Sequence, residues 1–468
     1  MNSKRILIPD EAVIGRSGEF CLEGEPGADS FDRRHFFTTS GGARVATDRI
    51  GAMIWEVLPG NFRKIQARLG LDRESGASAD LSEKMLAEFL FLMIRAGIAT
   101  SSVPDSAPPA GSPSSAPVVL SEVPHPAAPV SVIIVTYNSA AHIRACLSSL
   151  AVQTIAPLDI HVVDNGSTDE TPAIVAREFP HVIVHRLRRN RYYPGGINYG
   201  IRNSSGALLL VLNDDVELEP TALAEMVWVM EAAPKAAAVA PMLKFYHLRG
   251  FLNGIGNHVR PTGWGSDNFV GCVDVGQFAG LAEVPSACVS AVLLRRSVVE
   301  DVGLFDASFR AFYEDPDWCF RARLRGWTIA AAPRAVVYHK FNAHWSGRPA
   351  RFRWASRNRI RFILKNFRGR LFWAFLRSYV KEDAMSFLGR LRRGRPLEAV
   401  GYAGVYLSLL ARLPGDLWKR ARIQRRRVPG ADVESILALN PVPWSCLNDD
   451  NFPKIDVPTY FEYYRWLF

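Results

Sequence analysis

Residues 207–215 read Ala-Leu-Leu-Leu-Val-Leu-Asn-Asp-Asp. An unbroken apolar run leads into Asn213, Asp214 and Asp215. A short, continuous apolar run suits a strand buried on both faces, the condition of a central strand in an α/β sheet. Open α/β sheets place ligands at the carboxyl ends of their strands, where these three polar side chains fall. Hard oxygen ligands at that position suit Mg2+ or Mn2+, and those ions suit a diphosphate. Taken alone, the stretch is equally a strand ending in a polar turn, because Asn and Asp also favour turns.

The preceding chain alternates strands with helices. Residues 130–135 form a strand pattern rich in β-branched side chains, and Thr136-Tyr137-Asn138-Ser139 follows as a turn. Residues 140–151 put Ile143, Cys146, Leu147 and Leu150 on one helical face. A second strand at 159–163 runs into Asp164-Asn165-Gly166-Ser167-Thr168-Asp169, where Asp169 reads as a helix cap. A helix at 170–178 and a strand at 181–185 complete a βαβαβ rhythm, which predicts a doubly wound, mostly parallel sheet. Residues 190–200 read as an irregular loop in which Gly195 and Gly196 permit positive φ and close backbone approach. The helix after it offers N–H groups to a phosphate. Further on, Glu314-Asp315-Pro316-Asp317 opens a helix, an arrangement the helix dipole favours by itself. His339 follows an apolar strand at 335–338.

With 468 residues the chain exceeds one domain. No apolar run reaches the roughly 18–20 residues that span a bilayer. The first ten residues lack the apolar core of a signal peptide. The 6 cysteines show no CxxC spacing, which argues against a zinc site and fits a reducing compartment. A cytoplasmic protein is therefore expected. The net charge of +10 is unevenly placed. Residues 346–430 hold 22 Lys and Arg against 4 Asp and Glu, a net of +18 that leaves −8 for the rest.

Five segments follow from these shifts. Residues 1–100 read as a small α+β domain, with a strand at 43–47 and helices at 50–57, 62–69 and 81–96. That order weakly resembles the winged-helix module that binds leader peptides, which implies a peptide or protein partner. Residues 101–129 are a Pro/Ala/Ser-rich linker. Residues 130–345 hold the α/β domain. Residues 346–430 read as basic amphipathic helices, a pattern that predicts contact with an anionic membrane surface. No nucleic-acid motif accompanies the arginines, so nucleic acid is not expected as a partner. Residues 431–468 form an aromatic tail.

VSVIIVTYNSAAHIRACLSSL, DIHVVDNGSTDET, NRYYPGGINYGI, GALLLVLNDDVEL and VGLFDASFRAFYEDPDWCFRARLRGW occur in that order. The set resembles the inverting family 2 glycosyltransferases of GT-A fold, and especially their rhamnosyltransferase-like branch. The resemblance covers about 130–365. It implies a Rossmann-like mixed sheet with helices on both faces. It also implies transfer of a sugar from a UDP- or dTDP-sugar to a hydroxyl of a glycan or lipid-linked acceptor. Thr136, Tyr137, Asn138, Asp164 and Asn165 would hold the nucleotide, with Gly195, Gly196 and Asn198 beside the diphosphate. Ile197 stands where family members often carry a second Asn. Asn213-Asp214-Asp215 matches the metal-binding Asp-x-Asp with Asn first, so Asn213 and Asp214 would face the nucleotide sugar. Asp215 and His339 would ligate Mg2+ or Mn2+. Asp315 matches the catalytic base, and Glu314 would orient the acceptor. Arg351-Phe352-Arg353-Trp354 superficially resembles the Gln-x-x-Arg-Trp of processive synthases, but Ala350 replaces the Gln and no membrane spans follow. Two alternatives stay open: a peptide or protein glycosyltransferase recruited through residues 1–100, and a GT-A binding protein without turnover. The expected place of action is the cytoplasm, peripherally on the inner face of the membrane.

Overall fold

The computed structural model describes residues 128–439, apart from 247, 260–262, 264, 271–277, 341–349 and 395, together with six short strands nearer the amino terminus. Those strands are β1 Val13–Arg16, β2 Phe20–Glu23, β3 His35–Thr39, β4 Arg44–Thr47, β5 Gly60–Asn61 and β6 Ala99–Ser102. They pair antiparallel in two three-stranded sheets, β5-β1-β6 and β2-β3-β4. The strand read at 43–47 is β4. The three helices expected within 1–100, and with them the winged-helix resemblance, lie outside the described residues, as does the tail from 440 onward.

The main sheet is built from β7 Val130–Thr136, β8 Asp159–Asp164, β9 Ile183–Arg186, β10 Leu208–Asn213, β11 Val216–Leu218, β12 Ala236–Phe245 and β13 Leu248–Ile255. β14 Asn257–Val259 and β15 Gly265–Asp267 form a separate hairpin. β16 Ala291–Arg295 and β17 Thr328–His339 complete the main sheet. Its order is β11-β17-β12-β16-β10-β7-β8-β9, with β13 beside β12. The strands β9, β8, β7 and β10 are parallel, whereas β16 runs antiparallel to both β10 and β12. The sheet is thus parallel in one half and mixed in the other, the GT-A arrangement. The early βαβαβ rhythm extends only to the first half.

Side chains alternate across each strand, so β7 and β10 divide between two cores. Val132, Ile134, Leu210 and Leu212 face α1 Ile143–Ala151, α2 Thr171–Glu178 and α4 Ala222–Ala232. Ile133, Val135, Leu209 and Val211 face α3 Tyr192–Asn203, α5 Arg296–Val302 and α6 Glu314–Leu324. Burying each such side chain stabilises the fold by roughly 1.5–3 kcal/mol.

The stretch 190–200 is not the expected loop. Helix α3 begins at Tyr192, and neither Gly195 nor Gly196 has positive φ. Close packing explains these glycines better than turn geometry. A Cβ on Gly196 would lie 2.5 Å from Val135 Cγ1, and one on Gly200 would lie 2.4 Å from Ile133 Cγ2. Both glycines let α3 press onto β7.

The basic segment also differs from expectation. It forms α7 Ala350–Asn366, α8 Gly369–Arg392 and α9 Pro396–Arg425, and α10 Val433–Ala438 follows. Phe362, Ile363, Phe367 and Phe375 join Phe320 and Leu324 of α6 in a third core, which Val433 and Ile436 extend. Arg357, Arg359, Arg361 and Lys365 of α7 are buried rather than solvated. Lys365 Nζ bridges Asp306 (2.8 Å) and Asp317 (2.7 Å), and Lys419 of α9 also reaches Asp306 at 2.7 Å. Arg361 binds both carboxylate oxygens of Asp416 at 2.7 Å. Among the described side chains, large exposed apolar groups in this segment lie on α8 and α9, where Trp373, Leu388, Leu407, Leu410 and Trp418 are exposed. Among the described residues no helix is long and apolar enough to cross a membrane.

Burial alone would raise the Asp306 carboxyl, but Lys365 and Lys419 outweigh it and hold the group far below the usual range. Its stabilisation is present above the unfolded carboxyl value of about 4 and is lost as pH falls toward the depressed folded value. Lys365→Met should leave buried Asp317 and half-buried Asp306 undercompensated and lower stability by about 3 kcal/mol at neutral pH. Urea denaturation of the full chain measures this, and an unchanged midpoint would contradict the bridge.

Candidate active site

Strand register brings the predicted residues to one edge. Asp164 pairs with Thr136 across β8 and β7, and Asn213 pairs with Val135 across β10 and β7. Three parallel strands therefore end together. Val216 pairs with His339 across β11 and β17, which sets Asp215 beside that histidine. A pocket of about 590 Å³ opens along this edge. Its lining includes Thr136, Tyr137, Asn165, Asn213, Asp214, Asp215, Glu314, Asp315 and His339.

Five predicted residues do not line it. Asn138 has φ of 54°, and its Oδ1 accepts from Thr168 N–H at 2.8 Å, tying the two turns together. Asp164 Oδ1 accepts from Ser167 N–H at 2.9 Å. Its Oδ2 has no hydrogen-bond donor in the structure, with Arg186 Nε 3.7 Å away. Gly195 and Gly196 pack within α3. Asn198 is buried and uses both ends of its amide on Phe305, donating to its carbonyl at 2.8 Å and accepting from its N–H at 3.0 Å. It fixes the approach to residues 306–315, with its amide committed to Phe305.

Asp215 Oδ1 and His339 Nε2 lie 3.5 Å apart. His339 Nδ1 meets Asn253 Oδ1 at 2.6 Å, a contact that fixes the ring with Nε2 turned toward Asp215. Among the described residues no group of three or more His, Cys, Asp and Glu is gathered as metal ligands. One carboxylate and one oriented imidazole fit a divalent cation whose other ligands come from substrate phosphate and water.

Asp315 is partly open to the pocket yet ringed by protein. Asn257 Nδ2 donates to its Oδ2 at 2.8 Å. Burial first, and then the nearby Asp267 carboxylate, push Asp315 up to about 7. Burial and the Asp315 charge likewise raise Glu314. Glu314 is buried, and its Oε2 has no hydrogen-bond partner in the structure. Asp267 is itself raised to about 6 by burial, with His339 opposing. A carboxyl group near neutral pH is suited to accept a proton.

The loop before these carboxylates is strained. Arg310, Phe312 and Tyr313 have φ of 71°, 67° and 70°. Non-glycine residues in that region each cost about 1–3 kcal/mol. Asn358 of α7 holds the loop, donating from Nδ2 to the carbonyls of Phe309 (2.8 Å), Ala311 (2.8 Å) and Phe312 (3.0 Å). The Tyr313 hydroxyl donates to Gly263 O at 2.8 Å and accepts from Gly265 N–H at 3.0 Å. Asn257, Asp267, Asn253 and Asn358 carry no motif signal, since their roles arise from pairing over long sequence separations. Trp354 was visible in the Arg-Phe-Arg-Trp stretch and does line the pocket.

Residues 131–303 match the family model described as Glycosyl transferase family 2, and this part of the chain is a family 2 glycosyltransferase domain. The chain is similar to N-acetylglucosaminyl-diphospho-decaprenol L-rhamnosyltransferase of Mycobacterium tuberculosis, at 24% identity over 292 residues that cover 56% of this chain and 94% of that one. It is also similar to a low-salt glycan biosynthesis hexosyltransferase of Haloferax volcanii, at 29% identity over 203 residues covering 42% of this chain and 61% of the relative. A solved mannosyltransferase from Pyrobaculum calidifontis, in complex with GDP-Man and Mn2+, superposes with a TM-score of 0.39 at 18% identity, covering 64% of this chain and 86% of that one.

If Asp315 must be ionised for turnover, kcat/KM should rise with pH through about 7. Asn257 favours the ionised form, so Asn257→Ala should move that rise to higher pH. A pH–rate profile in which the acid limb is absent, or moves downward in the variant, would contradict the assignment.

Proposed function

We propose that the pocket transfers a sugar from a nucleoside-diphosphate donor to an acceptor hydroxyl, with inversion at the anomeric carbon. The observation that carries this reading is the shared pocket. The raised Asp315 carboxyl, the Asp215–His339 pair and the strand edge at Thr136, Asn165 and Asn213 all line it. Thr136, Tyr137, Asn165 and Asn213 hold the nucleotide, and Asp164 at the end of β8, whose Oδ2 has no hydrogen-bond donor and only the longer Arg186 contact, accepts from a base imino group. UDP- and dTDP-sugars, rhamnose among them, are the donors this reading favours.

Asp315 takes the proton of the attacking hydroxyl in a single displacement, and Glu314 orients that hydroxyl. Asp215 and His339 would hold Mg2+ or Mn2+, which when bound supplies positive charge against the departing diphosphate. Asn253 keeps the His339 ring turned for this role. The acceptor is a glycan or a lipid-linked glycan. The mycobacterial relative, whose name describes a diphospho-decaprenol acceptor, supports the lipid-linked form.

Asp315→Asn should abolish transfer, by at least about 10²-fold, while nucleoside-diphosphate affinity stays within about threefold of wild type. Product formation and calorimetric titration measure the two quantities. An active Asp315→Asn enzyme would sink the base assignment.

A further inference from the structure

Arg310 is the one lysine or arginine among the described residues lining the pocket, where Asp214, Asp215, Asp267, Glu314 and Asp315 supply five carboxyl groups. It pairs with none of them: among the described residues no carboxylate lies within ion-pair distance of its guanidinium. Instead its Cζ lies 4.9 Å from the centre of the Tyr192 ring and 5.8 Å from that of Trp354. Those two rings meet edge to face at 5.4 Å. The arginine is thus braced by aromatic faces with its hydrogen-bond donors left to the pocket.

Its position is set from behind. Arg310 adopts φ of 71°, and Asn358 secures carbonyls on either side of it, those of Phe309 and Ala311, at 2.8 Å each. Arg357 donates to the same Phe309 carbonyl at 3.2 Å. Burial, and then the charges of Arg361, Arg412 and Arg310, hold Arg357 down to about 10, so positive charge gathers on this side of the pocket. A left-handed arginine, clamped at its neighbouring carbonyls and braced on two rings, is costly to keep for packing alone.

We propose that Arg310 binds a substrate phosphate, its planar fork engaging phosphate oxygens in the mouth of the pocket. The proposal rests on the glycosyl-transfer reading and deepens it by assigning a phosphate contact outside the Asp215–His339 pair. The phosphate belongs either to the nucleoside-diphosphate donor or to the diphosphate of a lipid-linked acceptor. Bidentate charge-assisted bonds suit both.

Full-length wild type, Arg310→Met and Arg310→Lys would be titrated with UDP, dTDP and GDP in the presence of Mg2+. They would then be titrated with farnesyl diphosphate at a saturating level of whichever nucleotide binds. Met keeps an apolar stem against the rings and removes the charge. Arg310→Met should weaken one probe by about tenfold or more, and Arg310→Lys should recover part of that loss. A loss confined to the nucleotides assigns the donor phosphates, and a loss confined to farnesyl diphosphate assigns the acceptor. Equal affinity of wild type and Arg310→Met for every probe overturns the site, as does a wild type that binds none. Should Arg310→Met fail to fold, Arg310→Lys decides alone: affinity at least about threefold weaker supports the fork, and unchanged affinity overturns it. The readout is binding, so turnover by wild type tests the glycosyl-transfer reading separately.

Discussion

The site depends on a loop that cannot hold its shape alone. Between Phe309 and Glu314, three non-glycine residues sit in left-handed conformations. Together they cost several kcal/mol by the usual range of about 1–3 each. The buried Asn358 amide, reaching from α7 to the Phe309, Ala311 and Phe312 carbonyls, offsets part of that cost with hydrogen bonds. Lys365, two turns further along α7, grips Asp306 before the loop and Asp317 after it. The carboxyl groups of Glu314 and Asp315 are therefore aimed by a helix lying outside the family-matched residues 131–303.

This arrangement accounts for much of the basic character of the segment. Arg357, Arg359, Arg361 and Lys365 are not a solvated stripe. They meet Asp306, Asp317, Asp383 and Asp416, or loop carbonyls, in a buried network. Such pairs are weak evidence for net stability compared with an apolar core of the same shape, but losing one partner is severe. The network ties α7 and α9 to one position relative to α6 and carries that placement to Asp315.

Local patterns revealed the strands and the carboxyl groups, because both are written in short windows. The run Leu208–Asn213 is buried on both faces as its composition implies, and Asp215, Glu314, Asp315 and His339 line one pocket. The sequence was less informative where a residue's role comes from a distant partner. Gly196 is small because Val135 lies against it, not because its backbone turns. Asn198 serves Phe305, more than a hundred residues away. Composition showed that α7 was basic and helical, but not which side faced inward, since buried arginines appear the same as exposed ones until their acidic partners are placed. Asn257 and Asn358 are ordinary residues in sequence and become distinctive only when the fold sets them against Asp315 and its loop.

The central claim is that this pocket binds a nucleotide sugar and breaks its glycosidic bond to the diphosphate. The most direct test is a screen of purified full-length protein against UDP-, dTDP- and GDP-sugars, following release of the nucleoside diphosphate with Mg2+ or Mn2+ and again after chelation. Release from at least one sugar nucleotide, lost on chelation, is the predicted result. Failure of every donor in the screen to bind or turn over, with the protein folded and metal supplied, would contradict it.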